Sequence, residues 1–374
     1  MQCDYYEAGV CRSCTIIELP HQDQVAGKLA QCRELLGHLA ADATWLDPVV
    51  GPERGFRTKA KMVAGGSIAS PTLGILSPHG TGVDLQECPL YPPQLAQAFT
   101  PLKEFIALAG ISPYSVPERR GELKNVIVTV APSGELMVRF VLRSTESLAR
   151  LRKHLPWLLG RLPQLTVASA NILAEHRAVL EGEREIMLTE ATSLTMAING
   201  VDLHLQPRSF FQTNTDVATS LYRQAAEWVE VASPSSVWDL YCGVGGFALH
   251  VARAGRAVTG VEVSDAAVAS AQRSALALGV QAEFIAADAT EWAFGQPSPP
   301  DLVIVNPPRR GIGKALAGWL EDSGVQTVIY SSCNAVTLAK DLAAMPSWRV
   351  RQVRLLDMFP HTEHYEVAVL LARS

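Results

Sequence analysis

Val237-Trp-Asp-Leu-Tyr-Cys-Gly-Val-Gly-Gly-Phe247 starts as a short apolar strand and then breaks into glycines ahead of a helix-forming stretch. Glycines at 243, 245 and 246 allow a tight turn and let the backbone approach a ligand closely. The turn is not G-x-G-x-x-G and lacks the Lys-Ser/Thr pair of a phosphate loop. Taken alone it suits dinucleotide enzymes, methyltransferases and plain tight turns equally. Glu262, at the end of the next apolar run, is placed to bind a ribose diol. Loop and carboxylate together read as an adenosine-cofactor site.

Outward from this loop the pattern repeats. Apolar runs at 257–263, 282–287, 302–305, 327–330, 353–356 and 366–371 alternate with helical stretches, one of them opened by Ser264 as N-cap and closed near Gly279. Continuous apolar strands spaced by helices predict a parallel, doubly wound α/β sheet covered on both faces. Upstream the strand signals are shorter and alternating: 59–63, 73–76, 125–130, 136–142 and 185–188. Asn199-Gly200, between 195–198 and 201–205, marks a type I′ hairpin. Helical stretches at 94–109 and 146–159 complete an antiparallel α+β unit. At 374 residues the chain has room for two domains, here 1–205 and 206–374.

Three further segments carry chemistry. Asn306-Pro-Pro-Arg-Arg-Gly311 ends the fourth strand of the doubly wound sheet, at the edge where such sheets bind ligands. Its amide can donate and accept, which suits amino methyltransferases as well as a rigid turn. Cys333, in Tyr330-Ser-Ser-Cys-Asn334, follows the fifth strand among small polar residues, whereas Cys242 is squeezed among glycines and reads as packing. His361-Thr-Glu-His-Tyr-Glu366 opens the last strand. His361, His364 and Glu366 suggest metal ligands without a convincing further donor; a carboxylate entering a buried strand needs a task or a salt-bridge partner. Cys3, Cys11 and Cys14, with Cys88 later, supply four thiolates suited to tetrahedral zinc or to an iron–sulfur cluster, and only one Cys-x2-Cys knuckle is present. Cys32 falls in helical register with Leu29, Leu36 and Leu39 and reads as core.

In this order Asp239–Phe247, Asn306–Gly311, Ser331-Ser-Cys-Asn334 and Phe359–Glu366 resemble the bacterial RNA uracil-C5 methyltransferases, and Phe210-Phe-Gln-Thr-Asn214, upstream of them, belongs to the same set. Opening directly on Cys3, the chain is most similar to the short ribosomal type. The resemblance implies S-adenosyl-L-methionine as cofactor and 23S ribosomal RNA as partner, with a tRNA uracil or a non-catalytic iron–sulfur RNA-binding protein as the alternatives. It implies Cys333 as nucleophile and Glu366 as base. Gln212, Tyr241, Gly243, Glu262 and Asn306 fall at cofactor positions, with Asp288 at the adenine edge. It also implies that Cys3, Cys11, Cys14 and Cys88 hold a 4Fe–4S cluster, making the first domain an iron–sulfur and RNA-binding α+β unit and the second a Rossmann-like methyltransferase.

Charge is compatible with such a partner. The total, 32 Lys+Arg against 37 Asp+Glu, excludes a global polycation. Yet residues 119–161 hold nine basic and three acidic side chains, and Arg57, Lys59 and Lys61 alternate onto one face of a strand. Phosphate contacts are expected there, with Phe210 stacking on an extruded base. The start lacks a basic n-region followed by an apolar stretch, and no run approaches membrane-spanning length. A soluble, cytoplasmic monomer without an obligate protein partner is expected.

Overall fold

Two large sheets form, one for each apolar pattern, together with a two-stranded hairpin. The computed structural model describes residues 1–77, 79–176 and 179–373. In chain order the elements are α1 (Asp4–Glu7), α2 (His21–Leu36), β1 (Thr44–Trp45), β2 (Lys59–Gly66), β3 (Pro71–Leu76), β4 (Gly82–Asp84), α3 (Pro93–Ala96) and α4 (Phe99–Leu108). Next come β5 (Leu123–Val130), β6 (Leu136–Leu142), α5 (Leu148–Arg161), β7 (Leu165–Ile172), β8 (Arg184–Met187), β9 (Leu194–Ile198), β10 (Val201–Leu205) and α6 (Thr215–Ala232). The remainder are β11 (Ser236–Leu240), α7 (Gly246–Val251), β12 (Ala257–Glu262), α8 (Asp265–Leu278), β13 (Glu283–Ala286), α9 (Ala289–Phe294), β14 (Leu302–Val305), α10 (Gly313–Asp322), β15 (Thr327–Ser332), α11 (Ala335–Ala343), β16 (Trp348–Leu356) and β17 (Glu366–Arg373).

The larger sheet runs β1-β16-β17-β15-β14-β11-β12-β13. Alternation along its strands sends Leu302 and Ile304 to a core shared with α6, α7 and α8, and Val303 and Val305 to a core shared with α2, α10 and α11. The expected doubly wound α/β layer is present with one difference in direction. β17 runs antiparallel to both β15 and β16, while the other pairs are parallel. Two contributions come from the first half of the chain. β1 adds a parallel edge strand beside β16, and the β9–β10 hairpin packs its apolar face into the α6–α8 core. Asn199 and Gly200 take φ of 51° and 80°, as the type I′ turn requires.

The smaller sheet has the order β4-β3-β2-β5-β6-β7-β8. Its strands are antiparallel except β6 and β7, which pair in parallel through the crossover helix α5. This departs from the all-antiparallel reading. β7 went unread because Ala168, Ser169 and Ala170 carry little strand propensity, and its pairing on both sides stabilises it instead. One face of this sheet buries α4 and α5. On the other face Arg139 is 1% exposed and donates to both oxygens of Glu185 (3.1 and 2.7 Å) and to Glu181. Glu185 also accepts from Ser169 and Asn171. Removing one side of such a buried pair strands the other charge, at about 3–5 kcal/mol. Arg139→Leu is therefore expected to lower the thermal midpoint by several degrees, measured by calorimetry. An unchanged midpoint would show that the cluster contributes nothing to stability.

Candidate active site

The parallel strands end in register. Leu240 lies opposite both Val261 and Val305, and Val305 opposite Tyr330. Tyr241, Glu262 and Asn306 are consequently gathered along one carboxyl edge, with Cys333 two residues past Ser331 on the next strand. The glycine turn is held from below. Tyr241 adopts φ of 67°, and Asp239, fully buried, caps α7 by accepting from the Ala248 amide at 2.8 Å. Burial pushes the Asp239 carboxyl up to about 7, and its second oxygen has no partner. At Gly246 a methyl group would lie 2.6 Å from the Tyr222 hydroxyl, so glycine is required there.

Glu262 is held by two backbone amides. Gly243 N–H donates to one oxygen at 3.2 Å and Ser264 N–H to the other at 3.0 Å. Gly243 itself faces open space. An open glycine turn beside an oriented carboxylate fits the adenosine end of S-adenosylmethionine. Asp288 is exposed and spends one oxygen capping α9, through the amides of Thr290 and Glu291. Gln212 is buried just ahead of Asn214, the side-chain cap of α6.

The antiparallel β17 brings a strand's first residue to this edge. Ser332 pairs with Val367, so Cys333 and Glu366 are the next residues level with one another, and Ser331 is diagonal to Glu366 on the same face. Glu366 is 2% exposed and accepts a hydrogen bond from the Ser331 hydroxyl. Burial pushes its carboxyl up to about 7. The Cys333 thiol is raised by burial and by the nearby Glu366 charge, while the Arg309 guanidinium acts in the opposite sense. Arg309 is exposed at this edge and ties its loops together. Its carbonyl accepts from Asn334 Nδ2 at 3.0 Å and Thr337 Oγ1 at 3.1 Å, and its guanidinium reaches the His364 ring at 3.1 Å.

His361, His364 and Glu366 do not converge. Each is engaged separately, and among the described residues no group of three or more His, Cys, Asp or Glu has single-ion spacing. The four N-terminal thiols do share one neighbourhood. Cys14 is pushed up to about 12 by burial and by Cys88, Cys11 and Cys3, and Cys88 to about 11 by burial, Cys3 and Cys11. Arg57 lies close enough to oppose both shifts. Cys3 and Cys11 thus act on both Cys14 and Cys88, but among the described residues no three of these thiols are spaced to hold a metal ion, so the expected 4Fe–4S cluster is not shown.

On β2 the alternation holds. Ala60, Met62 and Ala64 enter the core, Arg57 and Lys61 are exposed, and Lys59 is partly covered, its ammonium pushed down to about 8 by burial, Lys61 and Arg139. Phe210 is 70% exposed and Phe211 is core. The basic stretch 119–161, expected as a phosphate-binding face, is largely spent on internal pairs. Arg139 binds Glu181 and Glu185, Arg143 binds Glu122, Arg150 binds Glu146, and Arg161 binds Glu104. Lys124 donates to the Glu175 carbonyl. Sequence reasoning also missed Ser331 and Arg309, although both lie inside quoted motifs; their partners are set by strand register and loop contact. No helix among the described residues is long and apolar enough to cross a membrane.

Comparison with known proteins agrees with this geometry. Residues 299–374 match the tRNA (Uracil-5-)-methyltransferase family model, and residues 237–309 a Methyltransferase domain model. The chain is 52% identical to the 23S rRNA (uracil(747)-C(5))-methyltransferase RlmC of Cronobacter sakazakii and 50% identical to that of Citrobacter koseri, with 100% of each chain covered. It is also similar to the crystal structure of Pyrococcus abyssi tRNA (uracil-54, C5)-methyltransferase in complex with S-adenosyl-L-homocysteine. That match has a TM-score of 0.81 and 27% identity over 96% of this chain and 85% of the other.

Gly246→Ala is expected to weaken S-adenosylmethionine binding at least about tenfold by pushing the turn off Tyr222. Calorimetric titration measures this, and parent-like affinity would show that the turn does not contact the cofactor.

Proposed function

The chain belongs to the 23S rRNA (uracil-C5)-methyltransferase family, and on that premise we propose that it methylates C5 of the 23S uridine numbered 747 in its relatives' names, with S-adenosylmethionine as donor. The observation that carries the reading is the Ser332–Val367 register, which sets Cys333 level with Glu366 at the same carboxyl edge as the open glycine turn. Uracil C5 is too weak a nucleophile to take a methyl group unaided. The Cys333 thiolate adds to C6, and the C5=C6 electron pair moves onto C5. Bound S-adenosylmethionine supplies the electrophilic methyl group, to which C5 forms its new bond as the sulfur–methyl bond breaks. Glu366 then takes the C5 proton, the released pair re-forms C5=C6, and the Cys333 sulfur leaves as thiolate.

A carboxylate raised to about 7 suits this task, because about half of it is charged at neutral pH and it binds a proton readily. Ser331 keeps it oriented. Glu262, held by two amides, is assigned to the ribose hydroxyls, with Gln212, Tyr241, Gly243, Asp288 and Asn306 lining the rest of the cofactor site. Arg57, Lys59 and Lys61 are assigned to RNA phosphates and Phe210 to base stacking. This gives a local charged face in a chain that is acidic overall.

Cys333→Ala is expected to abolish methyl transfer while leaving cofactor affinity within about threefold. Glu366→Gln should accumulate a covalent protein–RNA adduct, seen as a shifted band in denaturing gels; normal turnover without adduct would exclude the base role. The sign of the pH effect follows from both groups acting in their deprotonated forms. Turnover rises with pH through about 7, where Glu366 titrates, and about a tenth of Glu366 is charged one unit below. A rate falling across that range would contradict the assignment.

Cys3, Cys11, Cys14 and Cys88 are assigned to a 4Fe–4S cluster, supported by their mutual field and by the family resemblance. Such a cluster would tie the chain start to the loop after β4, with no role in the proton or methyl steps. Purified protein is expected to be brown and to hold about four irons and four sulfides per chain. Colourless, zinc-loaded protein would overturn the assignment.

A further inference from the structure

The loop that delivers Glu366 is bound chiefly to the far end of the chain. His361 has φ of 66°, a left-handed conformation that an L-residue other than glycine seldom adopts, and it is fully buried. All four of its polar atoms meet residues of the first 53. Its N–H donates to Gln24 Oε1 at 2.8 Å, and its carbonyl accepts from the Ile16 amide at 3.1 Å. Its Nε2–H donates to the Glu53 carbonyl at 2.9 Å, which leaves Nδ1 to accept from Gln24 Nε2 at 3.2 Å. Gln24, 1% exposed on α2, spends its remaining hydrogen on the Leu19 carbonyl at 2.9 Å.

The same loop is held once more just upstream. Asp357, fully buried, accepts from Lys28 at 2.6 Å and pairs with His21 at 2.7 Å, and Lys28 also donates to the Phe359 carbonyl at 3.1 Å. Loop 357–361 therefore takes its shape from α2 and from the segment directly after Cys14. A strained backbone conformation persists only where its surroundings over-determine it, and here those surroundings are N-terminal.

We propose that Gln24 and His361 form a positioning bracket for the base, so that proton removal from C5, rather than thiolate addition or methyl transfer, depends on the docking of the N-terminal segment. The proposal rests on the assignment of Glu366 as base. Gln24 and His361 are positioning residues: they touch neither substrate nor reacting atoms, and act through the five-residue path to Glu366.

The test separates the steps chemically. RNA carrying 5-fluorouridine at the target accepts the thiolate and the methyl group but has no C5 proton to lose, so it reports the early steps alone. Uridine RNA reports the whole cycle. For Gln24→Leu, trapping on fluorinated RNA should stay within about twofold of the parent, while turnover on uridine RNA falls about tenfold and covalent adduct accumulates. Should Gln24→Leu fail to fold, His361→Asn serves instead. Asparagine tolerates the left-handed backbone but loses the ring's bonds, and the same split is expected. Unchanged turnover overturns the bracket, and so does an equal loss of trapping and turnover, which marks general structural damage. Failure of the base assignment itself is read separately, from Glu366→Gln turning over without adduct.

Discussion

The direction of one strand governs the site. In a wholly parallel sheet the first residue of a strand lies at the amino edge, away from the residues that follow its neighbours. β17 is inserted antiparallel between β15 and β16, so its first residue arrives where β15 ends. That reversal sets Glu366 level with Cys333 and diagonal to Ser331. It also buries the carboxyl in the sheet, and burial raises its proton affinity to about 7. Register, burial and the shifted proton affinity share a single topological cause.

The reversal needs a loop that turns the chain at the carboxyl edge, and that loop has little support from its own sheet. Its polar atoms are satisfied by α2, Ile16 and Glu53, across more than 300 positions of sequence. β1 and α2 are built into the methyltransferase layer, and the β9–β10 hairpin packs into its core. The first 50 residues therefore serve two neighbourhoods, the cysteine segment and the crevice.

Legibility followed the range of the interaction. The Gly243 turn and the Glu262 carboxylate were legible because a strand–turn–helix writes its pattern within some twenty residues, and the hairpin at Asn199-Gly200 because its turn type is a property of two residues. The basic stretch at 119–161 misled because charge counting ignores pairing: Glu104, Glu122, Glu146, Glu181 and Glu185 neutralise much of it once folded. β7 was missed because its small residues gain strand character only between two partners.

By itself the sequence determined the doubly wound layer, the glycine turn with its carboxylate, and the family, because each is encoded by local residue choice and spacing. Only the tertiary structure decided that β17 runs backwards, that Ser331 and Arg309 lie beside Glu366 and Cys333, and that Gln24 grips His361. The physical reason is that strand direction and buried hydrogen-bond pairing are settled by competition among segments distant in the chain. A buried donor or acceptor must find a partner wherever the fold provides one, and no local pattern records where that will be.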